Sequence, residues 1–338
     1  MRWDLFCRVV DNFGDIGVCW RLAAGLGARG ETVRLWVDDA TALAWMAPQG
    51  AAGVSMLPWD ASAAASPPAP GDVVVEAFGC DPPPAFVQRM AACARPPAWI
   101  NLEYLSAEDY VERSHGLPSP QPNGLTKWFF YPGFTPGTGG LLREPGLIEA
   151  RRAFGRDAWL ASQGIAVRPG ERLVSLFCYA NPALADLLED LSREPTLLLA
   201  TPGAAQRAVG ADRGALRVQA LPWLTQAGYD RLLWACDLNF VRGEDSFVRA
   251  QWAGVPFVWQ IYPQHDAVHA AKLDAFLQRF GAAPALRALM FAWNGLAPWP
   301  RAWPDAAGWA ADCLRWRDGL LMRADLADTL VGFARQKG

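Results

Sequence analysis

Short apolar runs alternate along the chain with longer segments whose apolar residues recur at helical spacing. In the first half, this pattern predicts strands over residues 3–10, 32–37, 54–57, 73–76 and 98–101, and helices over 18–28, 40–46 and 85–94. In the second half, it predicts strands over 173–177, 196–200, 216–221, 238–241 and 256–259, and helices over 149–163, 182–191, 226–236, 246–253, 266–279 and 309–336. A β-α-β order of this kind is typical of parallel sheets with helices on both faces.

The two stretches of alternation are separated by residues 114–143, which are rich in Pro and Gly. A chain of 338 residues is also too long for one ordinary hydrophobic core. We therefore predict an α/β protein with one Rossmann-like domain over 1–150 and a second over 165–317. The last helical segment is expected to break near residues 318–319, and its end, about 318–338, to pack back on the first domain.

The composition narrows the classes of protein that fit. The chain is 52% hydrophobic and 19% charged, which is typical of a well-packed globular protein. Its net charge of −3, without a Lys/Arg cluster, gives no indication of a nucleic-acid partner. No apolar run reaches the ~18 residues of a membrane span, and Asp4 and Arg8 interrupt any signal-peptide core. The cysteines are scattered without a Cys-x-x-Cys pair, so we expect reduced thiols in a cytoplasmic protein.

Two charged segments follow predicted strands, where open α/β sheets bind ligands. The first, residues 11–18, carries Asp11 and Asp15 four residues apart, while Asn12 and Gly14 favour a turn. Two carboxylates on one tight turn suit a general base and a second acid that orients or tunes it. A purely structural role is an equal alternative, in which Asp15 caps the following helix and Asp11 forms an Asx turn.

The second segment, residues 242–249, places Gly243 before a predicted helix. Backbone N–H groups at a helix start can cradle a diphosphate, and Ser246 can add a hydroxyl or only cap. The carboxylates of Glu244 and Asp245 can accept hydrogen bonds from ribose or sugar hydroxyls, or they have only a structural role in the loop. The chain has no Gly-Lys-Ser/Thr at this place and no Gly-x-Gly-x-x-Gly after a strand, which argues against a Walker A loop and a dinucleotide cofactor.

Other reactive side chains carry weaker signals. His265 and His269 have helical metal-ligand spacing, but no third ligand is evident, so a surface or capping role is favoured. Cys178 follows a strand and is expected to be a core residue rather than a nucleophile. An Asp-x-Asp pattern, which metal-dependent sugar transferases use, is also absent from the sequence.

Long motifs resemble one bacterial family, the elongation factor P arginine rhamnosyltransferases called EarP. The resemblance extends over nearly the whole chain, and its motifs lie at residues 11–23, 101–108, 118–121, 242–251 and 259–264. The resemblance implies a GT-B fold, with two Rossmann-like domains that face each other across a cleft. It also implies an inverting, metal-independent transfer of rhamnose from dTDP-β-L-rhamnose to one arginine of elongation factor P, without a nucleic-acid or membrane partner.

The same resemblance implies roles for individual residues. Asp15 would be the general base, with Asp11 beside it and Glu244 as a further catalytic group. The donor would contact residues from both halves: Asn12, Phe13, Gly14, Phe177, Tyr179, Gln226, Tyr229, Glu244, Asp245 and Ser246. Tyr229 stands where the family often has Phe, and stacking on the thymine survives this change because both rings present a π face.

The chemistry of the residues agrees with these roles. A pair of carboxylates can grip a guanidinium and accept its proton, while backbone dipoles neutralise the leaving diphosphate without a metal. Four alternatives remain open: a non-catalytic nucleotide-sugar-binding protein, a GT-B transferase with another sugar or acceptor, a nucleotide-dependent oxidoreductase, and an interaction protein that uses some of the 17 tryptophans.

Overall fold

The computed structural model describes residues 1–11, 13–60, 67–263 and 268–338. These form two compact units, Met1–Pro145 with Met322–Gly338, and Gly146–Leu321. The first unit ends a few residues before the predicted boundary at 150, because the helix that follows belongs to the second unit, where Arg151 Nε donates to the carbonyl of Ala253.

The first unit is built on one sheet, which has seven strands within the described residues. Its order is β3-β2-β1-β4-β5-β7-β6, and every neighbouring pair is parallel except β6 with β7. The strands are β1 (Arg2–Cys7), β2 (Thr32–Val37), β3 (Val54–Pro58), β4 (Val73–Ala77), β5 (Ala98–Leu102), β6 (Pro118–Pro120) and β7 (Thr126–Phe130). The strand pattern did not predict β6 and β7, because both are short and lie among Pro and Gly residues.

Helices cover both faces of this sheet. They are α1 (Gly14–Ala28), α2 (Leu43–Met46), α3 (Pro84–Ala91), α4 (Tyr110–Ser114) and, from the end of the chain, α14 (Leu326–Lys337). The helix α14 packs on α1 and β5. The buried carboxylate of Asp325 caps α14 through the amides of Ala327 and Asp328, and it also accepts from the amide of Arg143.

The second unit has a five-stranded parallel sheet in its described part, in the order β10-β9-β8-β11-β12. The strands are β8 (Arg172–Leu176), β9 (Thr196–Ala200), β10 (Leu216–Ala220), β11 (Leu238–Arg242) and β12 (Phe257–Gln260). The helices are α5 (Leu147–Arg152), α6 (Arg156–Ser162), α7 (Leu184–Leu191), α8 (Ala204–Val209), α9 (Gln226–Ala235), α10 (Asp245–Ala253), α11 (Val268–Phe280), α12 (Pro284–Trp293) and α13 (Ala306–Leu321).

Three details of the helix prediction were wrong. The predicted helix over 149–163 is two short helices, α5 and α6, and the helices α4, α8 and α12 were not predicted. The break in the last helical segment comes after Leu321 rather than at Asp318 and Gly319, which both lie inside α13. The break falls there because the side chain of Asp325 caps a new helix. No helix in the described ranges is long and apolar enough to cross a membrane.

The helix α10 is held in place by a buried ion pair and by a ring stack. Arg249 of α10 donates from Nε and one terminal nitrogen to the two carboxylate oxygens of Asp230 in α9, both at 2.8 Å. Phe247 of α10 stacks on Trp259 of β12 with ring centroids 3.7 Å apart. Because Arg249 is only 2% exposed, the Asp230 carboxylate is needed to compensate the buried charge of its guanidinium.

Replacing Asp230→Ala leaves the Arg249 guanidinium buried without that carboxylate. We expect the free energy of unfolding of the second unit to fall by about 3–5 kcal/mol, measured by urea unfolding with tryptophan fluorescence. The matched control is Arg156→Ala, which breaks the exposed pair with Asp237 and is expected to cost less than about 1 kcal/mol. Equal losses in the two variants would contradict the role of burial.

Candidate active site

Both sheets contain a point where the strand order reverses, and ligands bind at such points in open α/β folds. In the first sheet the reversal lies between β1 and β4, and in the second between β8 and β11. At the carboxyl ends of these four strands lie Asp11 and Asp15 after β1, Phe78 after β4, Phe177 after β8, and Arg242 as the last residue of β11. The topology therefore selects the same two segments that the sequence motifs indicate.

Asp15 is the second residue of α1 and is 2% exposed. Its two carboxylate oxygens have different partners. Oδ2 accepts from the amides of Val10 and Asp11, both at 2.9 Å, whereas the hydroxyl of Tyr104 donates to Oδ1 at 3.3 Å. The helix cap is Phe13 and not Asp15. The capping alternative for Asp15 is therefore wrong, although one of its oxygens does have a structural role, because it closes the turn before α1.

The surroundings of Asp15 raise its pKa above the ordinary value of 3.8. Burial is the largest cause, and the negative charge of Asp11 adds to it, while the amide bonds and the Tyr104 hydroxyl act in the opposite direction. Asp11 lies so close to the start of α1 that a Cβ at Gly14 would collide with its carboxylate Oδ2. Glycine at this position is what allows the two carboxylates to share one turn.

Tyr104 and Phe78 are parts of this site that the sequence did not single out. Tyr104 follows β5, and its ring stacks on Phe78 at 4.1 Å with an interplanar angle of 8°. Phe78 follows β4 with a φ of +59°, a conformation that is rare for a bulky residue. Tyr104 lies in the stretch 101–108, which resembles the EarP family. Nothing in the sequence indicates the backbone conformation of Phe78.

In the second unit, a guanidinium lies between the two rings predicted to bind the nucleotide. Arg242 ends β11, and its Cζ is 4.4 Å from the ring centre of Phe177 and 4.2 Å from that of Tyr179. The residue is 8% exposed. The family resemblance implies a nucleotide-binding role for Phe177 and Tyr179, but it gives no role to Arg242. This arrangement holds a cation at the carboxyl end of β11.

The loop between β11 and α10 is fixed by its own hydrogen bonds. Gly243 has a φ of +62° and donates its amide to the carbonyl of Gln260 at 3.0 Å. The Ser246 hydroxyl accepts from the amide of Arg242 at 3.0 Å and donates to the carbonyl of the same residue. Ser246 thus closes the loop, and Glu244 and Asp245 stand at the start of α10, where the first N–H groups have no partner within the helix.

The remaining predicted donor residues lie at the start of α9 and at the turn before α1. Gln226 is the first residue of α9, behind the capping hydroxyl of Thr225. The ring of Tyr229 meets that of Phe177 edge to face at 5.7 Å, and its hydroxyl is buried beside Ser246. Burial raises the pKa of this phenol. Phe13 packs edge to face on Trp45 at 5.4 Å.

Asn12 and His265 lie outside the described residues, so their predicted roles stay predictions. Within the described ranges, no group of three His, Cys, Asp or Glu side chains is arranged to hold a metal ion. Cys178 is 2% exposed, and burial raises the pKa of its thiol to about 12. That value fits a core residue, because a nucleophilic cysteine needs a low pKa.

Comparison with known proteins identifies the family. Residues 3–335 match the family described as Elongation-Factor P (EF-P) rhamnosyltransferase EarP. Two relatives named protein-arginine rhamnosyltransferase come from Pseudomonas aeruginosa, 49% identical, and Pseudomonas putida, 46% identical, each aligned over 98% of both chains. A relative of the same name from Neisseria meningitidis is 39% identical over 80% of this chain and 77% of its own.

Solved structures agree with the family match. One concerns EarP-mediated arginine glycosylation of translation elongation factor EF-P; it is 34% identical and covers 100% of this chain and 99% of its own, with a TM-score of 0.70. The spinosyn rhamnosyltransferase SpnG with thymidine diphosphate, 14% identical with a TM-score of 0.54 over 98% of this chain and 99% of its own, shares the fold. The chain therefore belongs to the EarP family and is a glycosyltransferase with the GT-B fold.

Proposed function

We propose that this protein transfers L-rhamnose from dTDP-β-L-rhamnose to one arginine of translation elongation factor P, with inversion at the anomeric carbon. The names of its relatives support the sugar and the arginine, and the EarP structure supports the acceptor. The observation in this chain that carries the proposal is Asp15, a buried carboxylate at the strand-order reversal of the first sheet. A translation factor as acceptor implies a reaction in the cytoplasm.

The proposed step uses Asp15 as the general base. A guanidinium has a pKa above ~12 and delocalised lone pairs, so it is a poor nucleophile until a carboxylate localises its charge. One guanidinium nitrogen forms a bond to the anomeric carbon while the bond from that carbon to the diphosphate oxygen breaks. The electron pair leaves with dTDP, and the proton of the attacking nitrogen passes to Asp15. Asp11, on the same turn, adds a second negative charge that attracts the guanidinium.

We assign donor binding mainly to the second unit. Arg242 and the first N–H groups of α10 supply positive charge for the diphosphate. Glu244 and Asp245 bind sugar or ribose hydroxyls, with Glu244 nearest the reacting sugar, and the Ser246 hydroxyl shapes the loop. The nucleotide is assigned to the side chains of Phe177, Tyr179, Gln226 and Tyr229, and the sugar end of the donor to Asn12, Phe13 and Gly14.

Intact-mass analysis of elongation factor P tests the proposal directly. After incubation with this protein and dTDP-β-L-rhamnose, we expect the mass to rise by one deoxyhexose at a single arginine. Parallel incubations with other dTDP-deoxyhexoses separate this reading from a transferase with another sugar. Donor binding without turnover, in the presence of elongation factor P, would instead identify a non-catalytic nucleotide-sugar-binding protein.

Replacing Asp15→Asn keeps the hydrogen bonds of the turn largely intact but removes the base. We expect kcat to fall by at least about a hundredfold, the usual contribution of general-base catalysis, while calorimetry gives an unchanged affinity for the donor. The control is Asp38→Asn, since Asp38 also accepts a backbone amide at the same sheet edge, from Val9. If Asp15→Asn retained activity within about tenfold of the wild type, Asp15 would not be the base.

The variant Tyr104→Phe tests the ionisation of the Asp15 carboxylate through the pH dependence of kcat/KM. The Tyr104 hydroxyl stabilises the charged carboxylate and lowers its pKa against the effect of burial. Because only the ionised carboxylate accepts a proton, loss of the hydroxyl moves the acid limb of kcat/KM to higher pH. We expect this shift in rates measured across the acidic range. An acid limb that stays in place, or moves to lower pH, would contradict the assignment.

Replacing Arg242→Met tests the diphosphate site, since Met keeps the apolar length between the two rings but not the charge. Charged hydrogen bonds contribute about 1.5–3 kcal/mol, so we expect calorimetry to show roughly ten- to hundredfold weaker binding of dTDP. Thymidine, which lacks the diphosphate, should bind both proteins alike. The control is Arg172→Met, which removes a guanidinium that lies over Trp303 at the opposite end of the sheet.

A further inference from the structure

The backbone of Phe78 has a conformation that its side chain does not favour. Its φ of +59° lies in the left-handed region, which is strained for a bulky residue. Glycine adopts this conformation without strain, and the next residue is Gly79 with a φ of +68°. A phenylalanine at such a position indicates that the ring itself has a use there.

Several hydrogen bonds hold the loop in this shape. The amide of Phe78 donates to the carbonyl of Leu102 at 2.7 Å, and the amide of Gly79 donates to Asn101 Oδ1 at 3.2 Å. The Cys80 thiol donates to the carbonyl of Phe6 at 3.3 Å. The loop after β4 is thus attached to both neighbouring strands, β5 and β1, and this attachment keeps the Phe78 ring in position.

The stack places a flat aromatic surface beside the proposed base. Phe78 supports the ring of Tyr104 at 4.1 Å and nearly parallel, while the hydroxyl of Tyr104 reaches Asp15 Oδ1 at 3.3 Å. Tyr104 nevertheless remains 37% exposed. A solvent-accessible ring in a fixed orientation, one hydrogen bond from a buried carboxylate, has the features of a binding surface rather than of core packing.

From this arrangement we infer that the ring of Tyr104 is the surface on which the acceptor guanidinium lies while its N–H groups engage Asp15. This inference rests on the proposed function and adds a residue that recognises the acceptor. A guanidinium is planar and stacks well on aromatic faces. The same chain shows the preference in its second unit, where Arg242 lies over Phe177 and Tyr179.

Within this arrangement Phe78 is a positioning residue, because it acts through Tyr104. Its ring fixes the plane of the Tyr104 ring, and that plane sets the orientation in which a guanidinium can lie beside Asp15. A tilt of the Tyr104 ring would weaken both the stacking and the charged hydrogen bond from the guanidinium to Asp15 Oδ1. The strain at Phe78 is thereby connected to the alignment of the acceptor.

Steady-state kinetics with elongation factor P as the varied substrate test the inference. We expect Tyr104→Leu to raise the acceptor KM by about tenfold, the range of a cation–π contact that is shielded from water, with the donor KM unchanged. Tyr104→Phe keeps the aromatic face, and at neutral pH its acceptor KM should stay within about twofold of the wild type. Thermal unfolding of each variant checks that the first unit still folds.

The outcomes separate the inference from the proposed function. If the wild-type protein adds no deoxyhexose to elongation factor P, the proposed function itself is wrong. If the wild type transfers the sugar and folded Tyr104→Leu keeps the wild-type acceptor KM, only the inference is overturned. Equal increases in the acceptor KM for Tyr104→Leu and Tyr104→Phe would also overturn it, because the hydroxyl rather than the ring would then bind the acceptor.

Phe78→Gly tests the positioning role, since glycine keeps the backbone conformation without strain and removes the ring. We expect a higher acceptor KM, while Phe78→Tyr, which retains a ring in the same place, should restore a value close to the wild type. A wild-type acceptor KM in Phe78→Gly would show that this position serves only the backbone, and would contradict the role of the stack.

Discussion

The turn between β1 and α1 depends on a single buried carboxylate. Asp15 binds two consecutive backbone amides through one oxygen, and this leaves the other oxygen at the carboxyl end of the sheet. If both oxygens of a carboxylate accepted hydrogen bonds from amides, its charged form would be strongly stabilised and it would be a weak base. If neither oxygen did, nothing would hold the carboxylate in place. Glycine at position 14 leaves room for the Asp11 carboxylate on the same turn, since a side chain there would displace it.

Both units place charged groups at the point where the strand order reverses, but the groups have opposite charge. Among the described parallel strands, each sheet reverses its strand order once, and each reversal lies beside the proposed ligand-binding groups. In the first unit these groups are carboxylates, which suit a cationic acceptor. In the second they are Arg242 and a helix start, which suit an anionic leaving group. This difference in charge follows from the side chains on the loops and not from the fold.

Most of the fold can be predicted from the sequence, because buried parallel strands are continuous apolar runs and the helices between them are periodic. The strands β2 and β9 begin and end at the predicted residues. The strand β6 could not be predicted, since Pro118–Pro120 has the composition of a loop and pairs with β7. The strand β7, which pairs with β5, was missed although Thr126–Phe130 is rich in residues typical of strands, because it stands in a segment rich in Pro and Gly. The helices α4 and α8 were missed because five and six residues are too short for a clear periodic signal. The helix α12 was missed although its composition is helical and Pro284 stands at its first position.

The candidate site was only partly predictable, because sequence patterns report residue types and spacing but not backbone angles. Asp11, Asp15 and residues 244–246 could be predicted, because residue types and spacing within one short segment indicate their chemistry. Arg242 reaches Phe177 and Tyr179 only after β8 and β11 pair, and Phe78 is identified only by its φ. A strained aromatic residue where glycine would fit without cost is itself informative. Because packing alone is served equally well by an unstrained residue elsewhere, the strain points to a ring that must lie in one plane, under Tyr104.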